Sequence, residues 1–436
     1  MLVQTNRSTR RAARDAIATW LRDPGNVALL ATCAAWAAAL ALILGHRIFV
    51  TNDSLNNYIH VWYAADRIWH GHGVPLHMPV MGHGDAFAFP YGFLPWFTAA
   101  LLRPVFGDWI VTLWLVAGFL AVAGTMWWAF PELRGGWWFA ILLVEPMLVE
   151  APLLGQLPFL WATAMLFAAV ACWREERQLA AALLLGAAQA THPAVILPIA
   201  GVLVFARLYW EPRRLRLVAW YALSLAIAAP AAWLTLASPT VEDVTAGELI
   251  ANFFGTVVLR AIVVAAPFIV LVVRRTRLVR IPAAIFIGLI ALNVVLVPVR
   301  KNEYAWGALI RSPEHGVGGY VDSPNFVNGA TYRILRVGDG KVGMYDIVRN
   351  GGRLDSEPFP ESIDRRSFPT TGDYRSFLLH RHVDFVIVYD AYDRRYRTNE
   401  HHLLDEMTAG GAGACARLAH TGPGFEVFEI RNADGC

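Results

Sequence analysis

From about Val27 to Val299 the chain is a succession of apolar runs of about 15–22 residues, and from Arg300 to Cys436 there is no such run. A helix needs about 20 apolar residues to cross the hydrocarbon core of a bilayer, within a range of about 17–25. The sequence as a whole is 56% hydrophobic and 16% charged over 436 residues, whereas soluble domains average about 45–50% and about 25%. That excess excludes a disordered chain, a collagen, a disulfide-dense mini-protein and a typical cytosolic enzyme. The net charge of +3 is nearly balanced and implies no nucleic-acid partner. The expected fold class is a polytopic α-helical membrane protein of about nine or ten spans over 27–299. A cytoplasmic segment, 1–26, precedes it. A tail, 300–436, follows and is long enough to form its own small core.

The basic loops set the expected orientation. The N-terminus reads TNRSTRRAARD, and the run Val27–Leu44 follows as a retained first helix with its basic flank in the cytoplasm. Residues 51–86 are then an outer loop. Further runs cover Phe87–Phe106, Trp109–Trp128, Trp137–Leu153, Gln156–Trp173, Leu179–Ala190, Pro193–Tyr209, Leu217–Leu236, Leu249–Val273 and Ile281–Val299. Loops with Arg174 and Arg177, with Arg213, Arg214 and Arg216, and with Arg274, Arg275 and Arg277 belong on the cytoplasmic side, which delivers the tail to the outside. Three runs between the outer loop and an outer turn near Gly155 would end on the wrong side. One must dip and return or be two half-helices, and Trp137–Leu153, with Glu145-Pro146, Glu150 and Pro152, is the suspect.

The outer loop and its flank, TNDSLNNYIHVWYAADRIWHGHGVPLHMPVMGHGDAFAFPYGFLPW, hold the densest group of reactive side chains. Asn52, Asp53 or Ser54 can cap a helix running to about His70. Asp53, Asn57 and His60 then share one face, and Tyr58, Val61, Trp62, Ala65 and Trp69 form an apolar stripe suited to the membrane interface. Asp53 reads as an N-cap or as a general base. Five histidines, His60, His70, His72, His77 and His83, with Asp66 and Asp85, could hold a divalent ion, although no spacing matches a defined zinc motif. Tyr91 lies in an aromatic re-entry, FPYGFLPW, which serves as an interface belt or as a ligand wall. Gln156, at an outer helix end, and His192, before Pro193, can bond across helices or face a polar cavity. Arg260 stands deep in NFFGTVVLRAIVVAAPF and needs a partner: Glu145, Glu150 or an anionic headgroup.

In their order, the stretches NDSLNNYIHVWYAADRIWHG, FAFPYGFLPWFTAALL, LLGQLPFLWATAMLFAA and LLLGAAQATHPAVILPIAG resemble the GT-C superfamily of integral-membrane glycosyltransferases. The nearest look-alikes are bacterial membrane domains related to 6-pyruvoyl-tetrahydropterin synthase. The resemblance implies transfer of a sugar from a polyprenyl-phosphate donor to an envelope glycan, lipid or protein acceptor at the outer face of the plasma (inner) membrane. It places the catalytic base at Asp53, and Asn57, His60, Tyr91, Gln156, His192 and Arg260 become the candidate substrate-binding residues. No metal ligand is assigned, although a divalent cation, Mg2+ or Mn2+, could share the charge of the leaving phosphate with Arg or His. The doubled acidic pair common after the first helix of this superfamily is absent, since Asn52 and Ser54 flank Asp53. Two other classes compete: a transporter or flippase of a lipid-linked saccharide, and a non-catalytic envelope-assembly protein on the same fold.

The tail reads as a small extracytoplasmic α/β domain. ATYRILRVGDGKVGM suggests a hairpin over Thr331–Met344 about a Gly-Asp-Gly turn. Val383–Tyr389 reads as a buried strand, Tyr374–Arg381 and Asn399–Ala409 as helices, and Cys415–His420 with Phe425–Ile430 as a final hairpin. Asp390, Tyr392, Asp393, Arg394, Arg395 and Arg397 read as a solvated loop. Cys33 and Cys172 should be free, and a disulfide can join Cys415 to Cys436.

Overall fold

The computed structural model describes residues 15–43, 54–81, 85–86, 93–134, 136–210, 212–236, 258–275, 316–335, 341–355, 367–390, 392–409 and 414–431. Helices dominate the first part: α1 (Pro24–Ile43), α2 (Ser54–Trp69), α3 (Phe93–Phe106), α4 (Trp109–Ala129), α5 (Trp137–Leu143), α6 (Pro146–Glu150), α7 (Leu157–Arg174), α8 (Gln178–Thr191), α9 (Pro193–Trp210), α10 (Arg214–Leu236) and α11 (Val258–Arg275). Among the described residues three helices are long and apolar enough to cross a membrane: Trp109–Ala129, Leu157–Arg174 and Arg214–Leu234. The expected span Ile281–Val299 and the first part of Leu249–Val273 lie outside the described residues.

Helices α4 and α7 run parallel and in register. Trp161 Nε1 donates to Trp114 O (3.1 Å) and Trp128 Nε1 to Glu175 Oε1 (2.7 Å), both across 47 residues. At their far end Arg174 grips Glu132 with both Nη atoms, at 2.8 and 3.0 Å. The return between them is broken, as the Glu145-Pro146 step suggested. Proline suits the first helical turn, where its missing N–H has no partner to lose; α5 stops at Leu143 and α6 restarts at Pro146. Glu145 caps that restart, its carboxylate accepting Leu148 N–H at 3.0 Å.

Leu354 N donates to Val80 O at 2.9 Å, and Asp108 accepts from Tyr345. Both ends of the stretch 81–107 are thus fastened to the C-terminal domain. Within that stretch α3 has 14 residues, shorter than the helices long enough to cross a membrane.

The C-terminal part adds α12 (Gly318–Val321), β3 (Thr331–Leu335), α13 (Lys341–Arg349), β4 (Arg353–Leu354), α14 (Thr371–His380), β5 (Phe385–Tyr389), α15 (Tyr392–Tyr396), α16 (Glu400–Thr408), β6 (Ala416–Gly422) and β7 (Phe425–Ile430). An earlier two-stranded pair, β1 (His77–Met78) with β2 (Asp85–Ala86), belongs to the segment 51–86. The five-stranded sheet has the order β4-β3-β5-β7-β6. β3 pairs parallel with β4 and β5, and the hairpin β6–β7 adds antiparallel to β5. The expected hairpin over Thr331–Met344 is therefore wrong. The strand ends at Leu335 and a helix occupies Lys341–Arg349, because a Gly-rich turn serves a strand–helix link as well as a hairpin. The expected loop after β5 contains α15. There Asp393 accepts from Thr398 Oγ1 (2.7 Å) and from His401 N (3.0 Å), so short-range bonds organise it.

Strand side chains alternate between faces, and β5 uses both. Phe385, Ile387 and Tyr389 join a core continuous with the membrane-type helices. Val386 and Val388 join a separate core with Leu378, Leu403, Leu404 and Met407 beneath α14 and α16. The second core holds a charged knot. Arg333 donates to both carboxylate oxygens of Glu400 at 3.0 Å and to Asp355 at 3.3 Å. Asp355 also accepts from Arg381 at 2.7 Å. Cys33 and Cys172 are free. Cys436, and with it the suggested pairing to Cys415, lies outside the described residues.

Candidate functional site

Helix α2 forms where the sequence placed it, and protein covers much of it, while Trp69 at its end is exposed. Tyr58, Val61 and Ala65 of its apolar stripe are buried, and so are Asn57 and His60 on the polar face. The covering elements are α3 on one side and α13 on the other. Tyr58 packs its ring 5.8 Å from that of Tyr345 and bonds Thr112 Oγ1 at 3.1 Å. Both faces are occupied because the C-terminal domain folds over the loop, a long-range contact that periodicity cannot report.

The polar face of α2 points into the helices. Asn57 Nδ2 donates to Gly155 O at 2.6 Å, and Asn57 Oδ1 accepts from Trp96 Nε1 at 2.8 Å. The ring of His60 stacks on Trp96 with centroids 3.6 Å apart, and its Nδ1 lies 2.7 Å from Asn56 O. Gly155 is required at this junction. Its φ is +71°, and a Cβ there would run into the backbone and side chain of Ser54.

The row continues through the next residue. Gln156 Oε1 accepts from Arg260 Nε at 3.0 Å across 104 residues. His192, at the break between α8 and α9, is buried beside the edge of Phe159 with ring centroids 6.2 Å apart. Its neighbour in electrostatic reach is Arg260. Five of the seven candidates read from the sequence, Asn57, His60, Gln156, His192 and Arg260, thus sit buried near one end of α7. The sequence expected an acidic side chain or a headgroup beside Arg260; one bond there is to the Gln156 amide. Asp53 and Tyr91 lie outside the described residues, each one or two positions from a described helix start.

Two participants were not singled out. Trp96 was read as one ring of an interface belt, yet it is 1% exposed and joins Asn57 to His60. Gln189 is fully buried on α8, three residues before His192, with both amide atoms unbonded. Gln156 Nε2 is unbonded as well. An amide inside the apolar run LLLGAAQATHP was the available signal.

The outer-loop histidines do not assemble in the same way. His70 is exposed and lies 3.1 Å from Asp66, while His72 and His77 face solvent. His83 lies outside the described residues. Arg260 supplies one buried cation, the amides supply donors and acceptors in a water-poor setting, and Trp96 and Phe159 supply ring faces. Such a set can bind an anionic group together with hydroxyls. No protein-family model, no curated protein and no solved structure matches the chain.

Proposed function

We propose that this chain is an integral-membrane glycosyltransferase. It moves a sugar from a polyprenyl-phosphate donor to an envelope glycan, lipid or protein acceptor at the outer face of the plasma membrane. The observation that carries the reading is the buried row Trp96–Asn57–Gly155–Gln156–Arg260 beside His192, assembled from four separate elements. A buried arginine set among amides is the kind of group that binds a phosphate.

The arrangement of helix ends supports an outer location. Arg134, Arg174 and Arg177 gather where α4 and α7 finish, and basic flanks mark the cytoplasmic side. The polar row and the C-terminal domain are at the opposite end. On this reading Asp53, immediately before α2, takes the proton of the acceptor hydroxyl. The acceptor oxygen attacks the anomeric carbon, and the carrier phosphate leaves toward Arg260. A divalent Mg2+ or Mn2+ ion can share that charge.

The test is binding of a panel of polyprenyl-phosphate sugars to the protein in lipid nanodiscs. Saturable binding should survive Asp53→Asn, while transfer is lost. Loss of a charged hydrogen bond of about 1.5–3 kcal/mol should weaken binding by about tenfold or more in Arg260→Ala. Binding of no donor by the folded protein, or unchanged binding in Arg260→Ala, would refute the reading and favour a transport or assembly role.

A further inference from the structure

Three metal-ligand side chains meet in the C-terminal domain, far in sequence from the histidine-rich loop. His401 and Asp405 stand one turn apart on α16, hence on one face. Glu426 reaches them from β7. His401 Nε2 lies 3.2 Å from Glu426 Oε2, and one ligand atom of each residue falls within 4.8 Å of the other two. Donors bound about 2.0–2.2 Å from a zinc ion are about 3–4 Å from one another, so a small swing of the exposed Asp405 side chain closes the set.

Both ligand-bearing backbones are fixed without any ion. Asp393 Oδ2 accepts His401 N–H at 3.0 Å and His402 N–H at 3.4 Å. Glu426 stands in register between Val388 of β5 and Thr421 of β6. The His401 ring meets the edge of Phe428, with centroids 6.0 Å apart and planes at 70°. His401 and Glu426 are half-buried and Asp405 is exposed, which leaves an open approach from solvent. Two carboxylates and a neutral imidazole present a net double negative charge to a dication. The imidazole favours a transition metal over magnesium or calcium, and three protein ligands leave a position for water.

We propose that His401, Asp405 and Glu426 ligate a zinc-type divalent ion that ties α16 to β7. Among the described residues no other three-ligand group of this kind occurs. The proposal is independent of the glycosyltransferase reading. Full-length protein in nanodiscs, stripped with a chelator, would be titrated with Zn2+ and with Co2+ as a spectroscopic probe. One equivalent should bind per chain, with a Co2+ spectrum showing nitrogen and oxygen ligation. His401→Gln and Asp405→Asn should each weaken binding about 100-fold or more, beyond the roughly 10–100-fold typical of a supporting group. Asp405→Asn changes an exposed side chain and leaves the fold intact, so it reports coordination alone. A chain with His70, His72, His77 and His83 all changed to Ala should bind as wild type does. Absence of saturable binding, full binding by Asp405→Asn, or loss of binding in the outer-loop variant would each overturn the proposal.

Discussion

In the C-terminal domain the buried charges answer one another. Arg333 faces Glu400 and Asp355, and Asp355 faces Arg381. Among the helices the buried polar groups are uneven. Gln156 gives its oxygen to Arg260 and keeps an unbonded nitrogen, and Gln189 bonds nothing. A closed network of buried charges is a structural element, costly to open and indifferent to ligands. Amides left with unused capacity at depth are tolerated where something else completes them. On the proposed reading, the paired charges hold a shape and the amides with unused capacity belong to the part that binds.

The strongest way to break this comparison is to open the closed network. Glu400→Ala leaves Arg333 only Asp355, which Arg381 also uses, and should cost about 3–5 kcal/mol, read as an earlier melting transition and protease cleavage within 316–431. A change below about 1 kcal/mol would mean that the network is not structural. Gly155→Ala follows. Strain at positive φ and collision with Ser54 should together cost about 2–4 kcal/mol, and sugar-donor binding should disappear because Asn57 and Gln156 are displaced.

The contact between the two regions comes next. Asp108 accepts from Tyr345 at 2.7 Å and meets Arg103 at 3.0 Å and Arg349 at 3.3 Å. Asp108→Asn should weaken docking by about 1.5–3 kcal/mol, seen as faster hydrogen exchange over 341–349. Burial, then the charge of Asp108, raises the Tyr345 pKa above the ordinary tyrosine value. The stability this group contributes is therefore complete below the unfolded tyrosine pKa of about 10 and fades only as the pH climbs beyond it. Docking should be flat from neutral to mildly alkaline pH in a titration followed by exchange.

The smallest stability effect belongs to the uneven region. Gln189→Leu removes two unbonded polar atoms and should be neutral or stabilising by up to about 1 kcal/mol. Affinity for the sugar donor should fall at the same time. A large loss of stability would show instead that Gln189 holds the fold.

What the sequence revealed followed range. The α2 boundaries, the break at Glu145-Pro146, the buried strand at Phe385–Tyr389 and the last hairpin rest on neighbours within a few residues, where periodicity and turn chemistry are informative. Asn57 stood out through the helix face it shares with Asp53 and His60, and Gln156, His192 and Arg260 because polar groups are rare in apolar runs. Their mutual bonds did not, since 98 and 104 residues separate the partners. The same limit hid Arg333–Glu400 and Trp96–Asn57. The hairpin misread at Thr331–Met344 is a local failure: the alternation was correct, but a glycine turn does not reveal whether a strand or a helix follows.

Tyr345 is made long after its partner. The two sides of the Asp108 contact lie 237 residues apart, so at about 5–20 residues per second a ribosome needs roughly 12–47 s to supply the second side. Over that interval Asp108 already has a companion, Arg103, only five positions earlier. The near pair is the one that can form first, and the distant tyrosine can join the contact only after it. One acidic side chain thus has a partner made moments before it and another made much later.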